Sequence, residues 1–425
     1  MSKKIYYLEL LMDISSGIIV PFITLYALYL GFSNLFIGGF NALLNISYIL
    51  TFFISLFLVN PRTIKNVFSI SLIIWGLSIL LLYYAKDEII FLFAIFLRAI
   101  SSALISVCYT WIISKTFVTN RYEKISNLAI IYAFATLTTT IISGLLISTF
   151  SYFSLIFYFP LILSIFSVFI LQKIEFENNN IENEKIRNIK DVLKKLKNTF
   201  KDEKLRRYAL FLFVFYFAVG IASPFFSIFL KKVLGKSEFE WSLVTATEML
   251  IFLLFSSVIK RLDKKFDIIS LFQFSTFFIS LIPLIWVTTK NFEIILMLSF
   301  VSGIAWNLFS ILHTTYITKN FGMTEKISFL NIFIGLGSIF GNIVGGIISQ
   351  VNLEYAFYIS FIFRLFVSFL VIILIGETLI NFHNIGKTIF LSLDFFSYIF
   401  KEFILEVKKI KLLAPYNHKK NIHKS

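Results

Sequence analysis

The chain has 425 residues, 58% of them hydrophobic, and a mean hydropathy of +0.86, above the roughly 45–50% apolar content of a soluble domain. Only 15% are charged, yet 39 Lys and Arg against 24 Asp and Glu leave a formal +15, so basic charge is confined to short stretches between apolar runs. A water-soluble domain is excluded, and with one cysteine (Cys108) and four scattered histidines so is a disulfide or metal scaffold; no metal and no cofactor is expected.

A spanning helix needs about 20 apolar residues to cross roughly 30 Å of hydrocarbon. Twelve such runs are predicted: Ile5 to Leu30, Phe36 to Val59, Val67 to Tyr84, Ile89 to Ile113, Ile125 to Phe150, Tyr152 to Leu171, Tyr208 to Leu230, Trp241 to Ile259, Ile268 to Val287, Phe292 to Ile317, Ile327 to Ile348 and Tyr355 to Ile375. The first carries Glu9 and Asp13 and lacks a small-residue cleavage site, which reads as a retained helix and not a signal peptide. The fold class is therefore an all-α polytopic membrane protein.

Lys and Arg in short loops keep those loops cytoplasmic. With the amino terminus inside, 32 of the 39 fall on the cytoplasmic side, so both termini are expected there and the cell membrane is the expected location. The polar segment 172–207 separates a six-helix bundle at 1–171 from one at 208–376; its basic residues read as a solvated loop near anionic lipid, with no nucleic-acid partner. In the tail, 377–425, Phe396, Phe400, Phe403, Ile404 and Val407 share one helical face, as expected for an amphipathic helix lying in the inner interface.

The halves repeat each other. "GIIVPF" at Gly17 recurs as "GIASPF" at Gly220, "LGFS" ending at Ser33 as "LGKS" ending at Ser237, "KTF" at Lys115 as "KNF" at Lys319, and "EKIS" at Glu123 again at Glu325. Gly144 falls on Gly346 at the same offset. Five matches in one order indicate a duplicated six-helix unit.

These residues resemble the major facilitator superfamily of secondary transporters. The resemblance rests on Pro21 with Leu30-Gly31-Phe32-Ser33 and its copy, on Arg98 early in the fourth span, and on the glycine-rich eleventh span "GLGSIFGNIVGG". The loops after spans two and eight stand where that family has its basic signature, degraded here to Arg62 in the first copy and Asp263-Lys264-Lys265 in the second. The family's glycine-proline motif is absent from the fifth span, which reads "ATLTTTIISG". The resemblance implies two bundles that rock about a central site lined by spans one, four, seven and ten.

Charges inside hydrocarbon cost about 2.5–3.5 kcal/mol each on insertion scales, so each is a candidate functional group. Asp13, Arg98, Glu248 and Arg364 lie within spans. Counting 1.5 Å per residue puts Asp13 about 12 Å from one side and Arg98 about 14 Å from the other, at nearly the same depth in a core of about 30 Å. The sharpest expectation is that the two pair across the cavity and that Asp13 exchanges this pairing for a proton, since burial favours the neutral acid and a nearby cation the carboxylate. The alternative is a static ion pair that fixes packing. Glu248 is a second protonatable candidate facing Arg98 or the cavity. Arg364, on a span the family places at the periphery, is expected to pack or snorkel, and Glu9 to be wet.

Asn45, Trp306, Asn307 and His313 are candidates for contacting substrate, with interhelical hydrogen bonding the commoner use of such residues; His313 is expected to be solvated. Pro21 and Pro224 are expected to bend the first and seventh spans. Gly337, Gly341 and Gly345 form a small-residue ridge for close helix contact. No catalytic motif is present, so the chain reads as a transporter of a small solute, with the proton as candidate coupling ion and a monomer as sufficient unit. A facilitator without ion coupling, a lipid-linked saccharide flippase and a transporter-derived sensor stay open as alternatives.

Overall fold

The computed structural model describes residues 2–57, 63–116, 121–150, 153–174, 201–259, 268–320 and 324–375. The signature-loop residues Arg62, Asp263, Lys264 and Lys265, most of the linker and the whole tail lie outside them.

Twelve helical segments are laid down in chain order. The first is Ser2–Ile19 continued by Ile23–Tyr29, and the next five are Asn34–Phe57, Ile64–Tyr84, Glu88–Thr116, Arg121–Phe150 and Phe153–Gln172. The seventh is Glu203–Ala222 continued by Phe226–Lys232. Glu238–Ile259, Ile268–Thr289, Phe292–Asn320, Thr324–Val351 and Leu353–Ile375 complete the set. Among the described residues eleven are long and apolar enough to span a membrane; the eighth carries Glu238, Glu240 and Glu248 within its described length.

The surfaces are inside out relative to a soluble protein. The sixth helix exposes Phe159, Ile162, Phe166 and Phe169 and buries Ser164 and Ser167, because hydrocarbon accepts phenyl rings and leaves hydroxyls to find partners within the bundle.

The repeated "LGxS" has a structural cause. Gly31 and Gly235 adopt φ of +83° and +63°, ending a helix in the left-handed conformation that glycine tolerates. The serine two residues on begins the next helix: Ser33 Oγ accepts from the Phe36 amide at 3.1 Å, and the Ser237 amide and hydroxyl both donate to Glu240. A helix stop followed at once by a helix start makes a tight turn between antiparallel spans.

Packing repeats as the sequence does. Span one packs on five and six, two on four, and three on four and six; seven packs on eleven and twelve, eight on ten, and nine on ten and twelve. Between the halves, span two meets eleven and span five meets eight. The sequence repeat is legible here, because Gly144 lies against Ser242 and Glu238 of span eight while its counterpart Gly346 lies against Leu35 and Gly38 of span two.

The face carrying Ser2 is termed the terminal face. One apolar cluster runs through both halves, joining Tyr26, Phe40, Phe91 and Phe153 at the opposite face to Phe225 and Phe229, and in the carboxy-terminal half it continues to Tyr208, Tyr316 and Phe329 at the terminal face. A second cluster, with Ile5, Phe68, Cys108 and Leu171, belongs to the amino-terminal half alone. The outer pieces of spans one and seven, Ile23–Tyr29 and Phe226–Lys232, also touch. The halves are thus joined on the face away from the termini.

Gly337, Gly341 and Gly345 pack against the backbone of Phe213, Phe217 and Ile221, so this ridge holds span eleven to span seven within one half. The contact between halves uses another face of span eleven, where Gly335 lies against Asn45, Tyr48 and Ile49.

At the terminal face Asp202 caps the seventh helix, accepting from the Leu205 amide at 3.2 Å, and pairs with Lys326 at 2.8 Å. The Lys326 hydrogen bond holds its carboxyl below the usual carboxylate range.

Substituting Gly345 by Ala drives a methyl into the Ile221 carbonyl and is expected to destabilise the protein by about 1–3 kcal/mol. Gly39→Ala, which meets nothing within 4 Å, should be neutral; thermal unfolding in detergent compares them. Asp202→Ala should cost about 1 kcal/mol at neutral pH through the lost cap. Because the folded-state pKa is depressed, the wild-type advantage is present above the ordinary carboxylate pKa and fades as pH falls through the lower folded value, which unfolding at stepped pH will show.

Candidate functional site

Asp13 is 8% exposed, on the first helix about midway between its terminal-face end and the break at Pro21. Its Oδ2 has no hydrogen-bond partner among the described residues. It lies within electrostatic reach of Glu9, Tyr109 and Tyr132. Glu9, expected to be wet, is buried one helical turn from Asp13 on the same face. The Tyr109 hydroxyl lies close to Glu9.

On its other side Asp13 borders a cavity of about 210 Å³ inside the amino-terminal half, between spans one, three, four and six. Ser164 and Ser167 of the sixth span and Trp75 of the third line it with Asp13.

Arg98 is 7% exposed and its Nε is unpartnered. Among the described residues Asp13 and Arg98 form no ion pair, contrary to the expectation from their shared depth. Depth is fixed by counting residues, but pairing also needs both side chains to point the same way, and the nearest charge on Asp13 is instead Glu9, which its own helix supplies.

The other candidates fall in the carboxy-terminal half. Glu248 accepts from Ser302 Oγ at 2.6 Å, tying span eight to span ten and not to Arg98. Asn307 Nδ2 donates to the Phe252 carbonyl at 3.3 Å across the same pair of helices, leaving its Oδ1 buried and unpartnered. Trp306 packs against Phe215 and Phe309. His313 is not solvated as expected. It is half-buried, its Nδ1 lies 2.7 Å from the Tyr208 hydroxyl, and its ring stacks on Phe309. Asn45 donates to the Asn41 carbonyl of its own helix at 2.8 Å.

Pro21 sits in a 3₁₀ turn, Val20–Phe22, and Pro224 in its counterpart, Ser223–Phe225. A proline frees the carbonyl four residues earlier; for Pro21 this is Gly17, and Thr140 Oγ1 donates to it at 3.1 Å. Arg364 follows the same logic. Expected at the periphery, it is 2% exposed, with Nη1 donating to Ile279 O and Nη2 to Val219 O, both at 3.2 Å. Ile279 is four residues before Pro283, which lies inside the ninth helix. A guanidinium from span twelve thus fills the backbone vacancy of span nine and clamps it to span seven.

Sequence reading passed over Tyr48, Tyr109, Tyr132 and the serines of span six. Only their polarity at mid-span depth marked them, and serine at mid-span is too common to point to a site by itself.

A family model described as the Major Facilitator Superfamily matches residues 5–324 and 208–386. The chain belongs to that superfamily, and it is an integral membrane protein. No curated protein matches it. Among solved structures it is similar to the nucleoside transporter NupG in a mutant form, with 14% identity over 88% of this chain and 99% of that one and a TM-score of 0.70. The corresponding NupG structure gives 14%, 88%, 98% and 0.68; a D-xylose-proton symporter gives 13%, 89%, 99% and 0.65. Identities this low show a common fold.

If Arg364 serves the Ile279 carbonyl, Arg364→Met should be less damaging once Pro283→Ala has restored an amide donor for it. A double-mutant cycle on thermal stability is expected to give a coupling of about 1 kcal/mol; additive effects would separate the two residues.

Proposed function

Because the chain is a member of the major facilitator superfamily, we propose that it is a secondary active transporter that moves a small solute through the space between its two halves by alternating access, with Asp13 as the group that carries the coupling proton. Both termini face the cytoplasm, in keeping with the distribution of Lys and Arg. One chain supplies both halves, so a monomer suffices.

The single observation behind the coupling role is a buried mid-helix carboxylate with an oxygen left unpartnered among the described residues. An ionised carboxylate so placed is costly unless it is paired, and a proton taken up from the open side relieves that cost. Without an ion pair to Arg98, the coupling is a load-and-release cycle at Asp13, with Glu9 one turn nearer the terminal face as the group that passes protons to and from water. Tyr48, Tyr132 and Tyr216 offer hydroxyls to a polar solute.

Proton movement in proteoliposomes, screened against pooled metabolites and cationic dyes, tests this reading. Solute-dependent pH change is expected in the wild type and should fall at least about tenfold in Asp13→Asn, while solute exchange at zero gradient persists. Flux that moves no protons and is unchanged in Asp13→Asn would instead leave a facilitator.

A further inference from the structure

Glu248 is an acid without a counter-charge. One of its oxygens accepts from Ser302; among the described residues the other has no partner, and no Lys, Arg or His stands against it. Its direction follows from its neighbours on span eight. Trp241, Thr245 and Glu248, spaced by four and three residues, share one helical face, and the Trp241 indole reaches across to Pro21 O in the other half. Leu250, 38% exposed, lies about 200° around the helix from Glu248. The carboxylate is therefore turned away from lipid and toward the amino-terminal half, about 10 Å in from Trp241, and it is only partly buried there. Span ten brings an aromatic ring to the same place. Ser302 and Trp306, four residues apart, are neighbours on the helix surface, and Trp306 is half-buried against Phe215 and Phe309. Exposed Met297 is nine residues before Trp306 and so half a turn round from it, which turns the indole inward. Gly303 lets the two spans approach, since a Cβ there would stand 2.9 Å from Ile251 Cβ and 3.1 Å from Glu248 O.

We propose that Glu248 and Trp306 recognise a positively charged amine on the transported solute, an organic cation with an apolar or aromatic body. An ionised carboxylate at this depth is costly unless it is paired, and the missing charge is the one an ammonium group brings. The same group donates N–H to the free oxygen in a charge-assisted hydrogen bond. Among aromatic faces the indole is the best for a cation, and Phe215 and Phe309 beside it offer an apolar wall to the rest of the solute. A neutral alcohol would answer the oxygen's demand for a donor and leave its charge unanswered, while an anion would be repelled. The inference rests on the transporter reading and deepens it by naming the solute class: Asp13 carries the proton, and Glu248 meets the charge of the solute.

Binding is tested apart from transport, by titration calorimetry of the purified full chain in detergent at neutral pH against a detergent blank. The probes are phenethylamine and tryptamine, both ammonium ions at this pH, with their neutral alcohols 2-phenylethanol and tryptophol and the anions 3-phenylpropionate and indole-3-propionate. At least one amine is expected to bind about tenfold or more tightly than its alcohol, and the anions no better than the alcohols. Glu248→Gln keeps an acceptor for Ser302 and removes the charge; it should bring amine and alcohol within about twofold of each other. Trp306→Leu should narrow the amine-to-alcohol ratio by about threefold or more. Wild-type protein that binds neither amine, or binds amine and alcohol equally, would overturn the proposal, as would a preference for the amine that survives Glu248→Gln. Should that variant fail to fold, an unchanged ratio in Trp306→Leu overturns it equally. Proton-coupled flux of a solute that carries no amine would sink this inference and leave the proposed function standing. Amine binding at Glu248 in a protein that moves no solute would keep the site and sink the transporter reading.

Discussion

In hydrocarbon, a backbone carbonyl released by a proline has no water to turn to, and how this chain answers that demand shapes much of the bundle. Pro21 breaks the first span and frees Gly17 O, and Thr140 of span five supplies the donor. Pro283 frees Ile279 O, and Arg364 of span twelve supplies it. Each repair is made by a neighbouring helix, so a local break becomes a tertiary contact. The proline positions of spans one and nine are therefore pinned to particular partners, and a charge that looks out of place in a peripheral helix has a backbone reason to be there.

The duplication is visible at three levels: in the "LGxS" turns, in the packing of spans one to six against that of seven to twelve, and in the pairing of Gly144 with span eight and Gly346 with span two. Function does not share this symmetry. The carboxylate of Asp13, the serine-lined cavity and the phenols gather in the amino-terminal half, while the other half ties Glu248 to Ser302 and His313 to Tyr208.

How far the sequence could be read follows from helix geometry. Span positions and depth were legible, because hydropathy marks the runs and the rise per residue is fixed. The family resemblance was also legible, from Pro21, the "LGxS" pair, Arg98 and the eleventh span. Azimuth was not. A helix that is apolar nearly all round gives little periodic signal to say which side faces the cavity, so Asp13 and Arg98 could be set at one height without being brought into contact. For the same reason Glu9 was expected in water and is buried, and the ridge of Gly337, Gly341 and Gly345 was found while nothing in the pattern marked Gly38, Gly335 and Gly346 as the glycines that join the halves.

The seams between the halves are lined by glycine, and this bears on the rate at which they can part. Where Gly38 meets the backbone of Asn342 and Gly346 no side chains interlock, while elsewhere aromatic rings of the two halves pack in one apolar cluster. The polar latches across the seams include Asn34 Nδ2 on Ser349 O and Trp241 Nε1 on Pro21 O, both 2.9 Å, each worth about 1 kcal/mol net. Latches this light can rearrange within the microsecond-to-millisecond range of domain motions, and both lie at the far mouth, well away from Asp13.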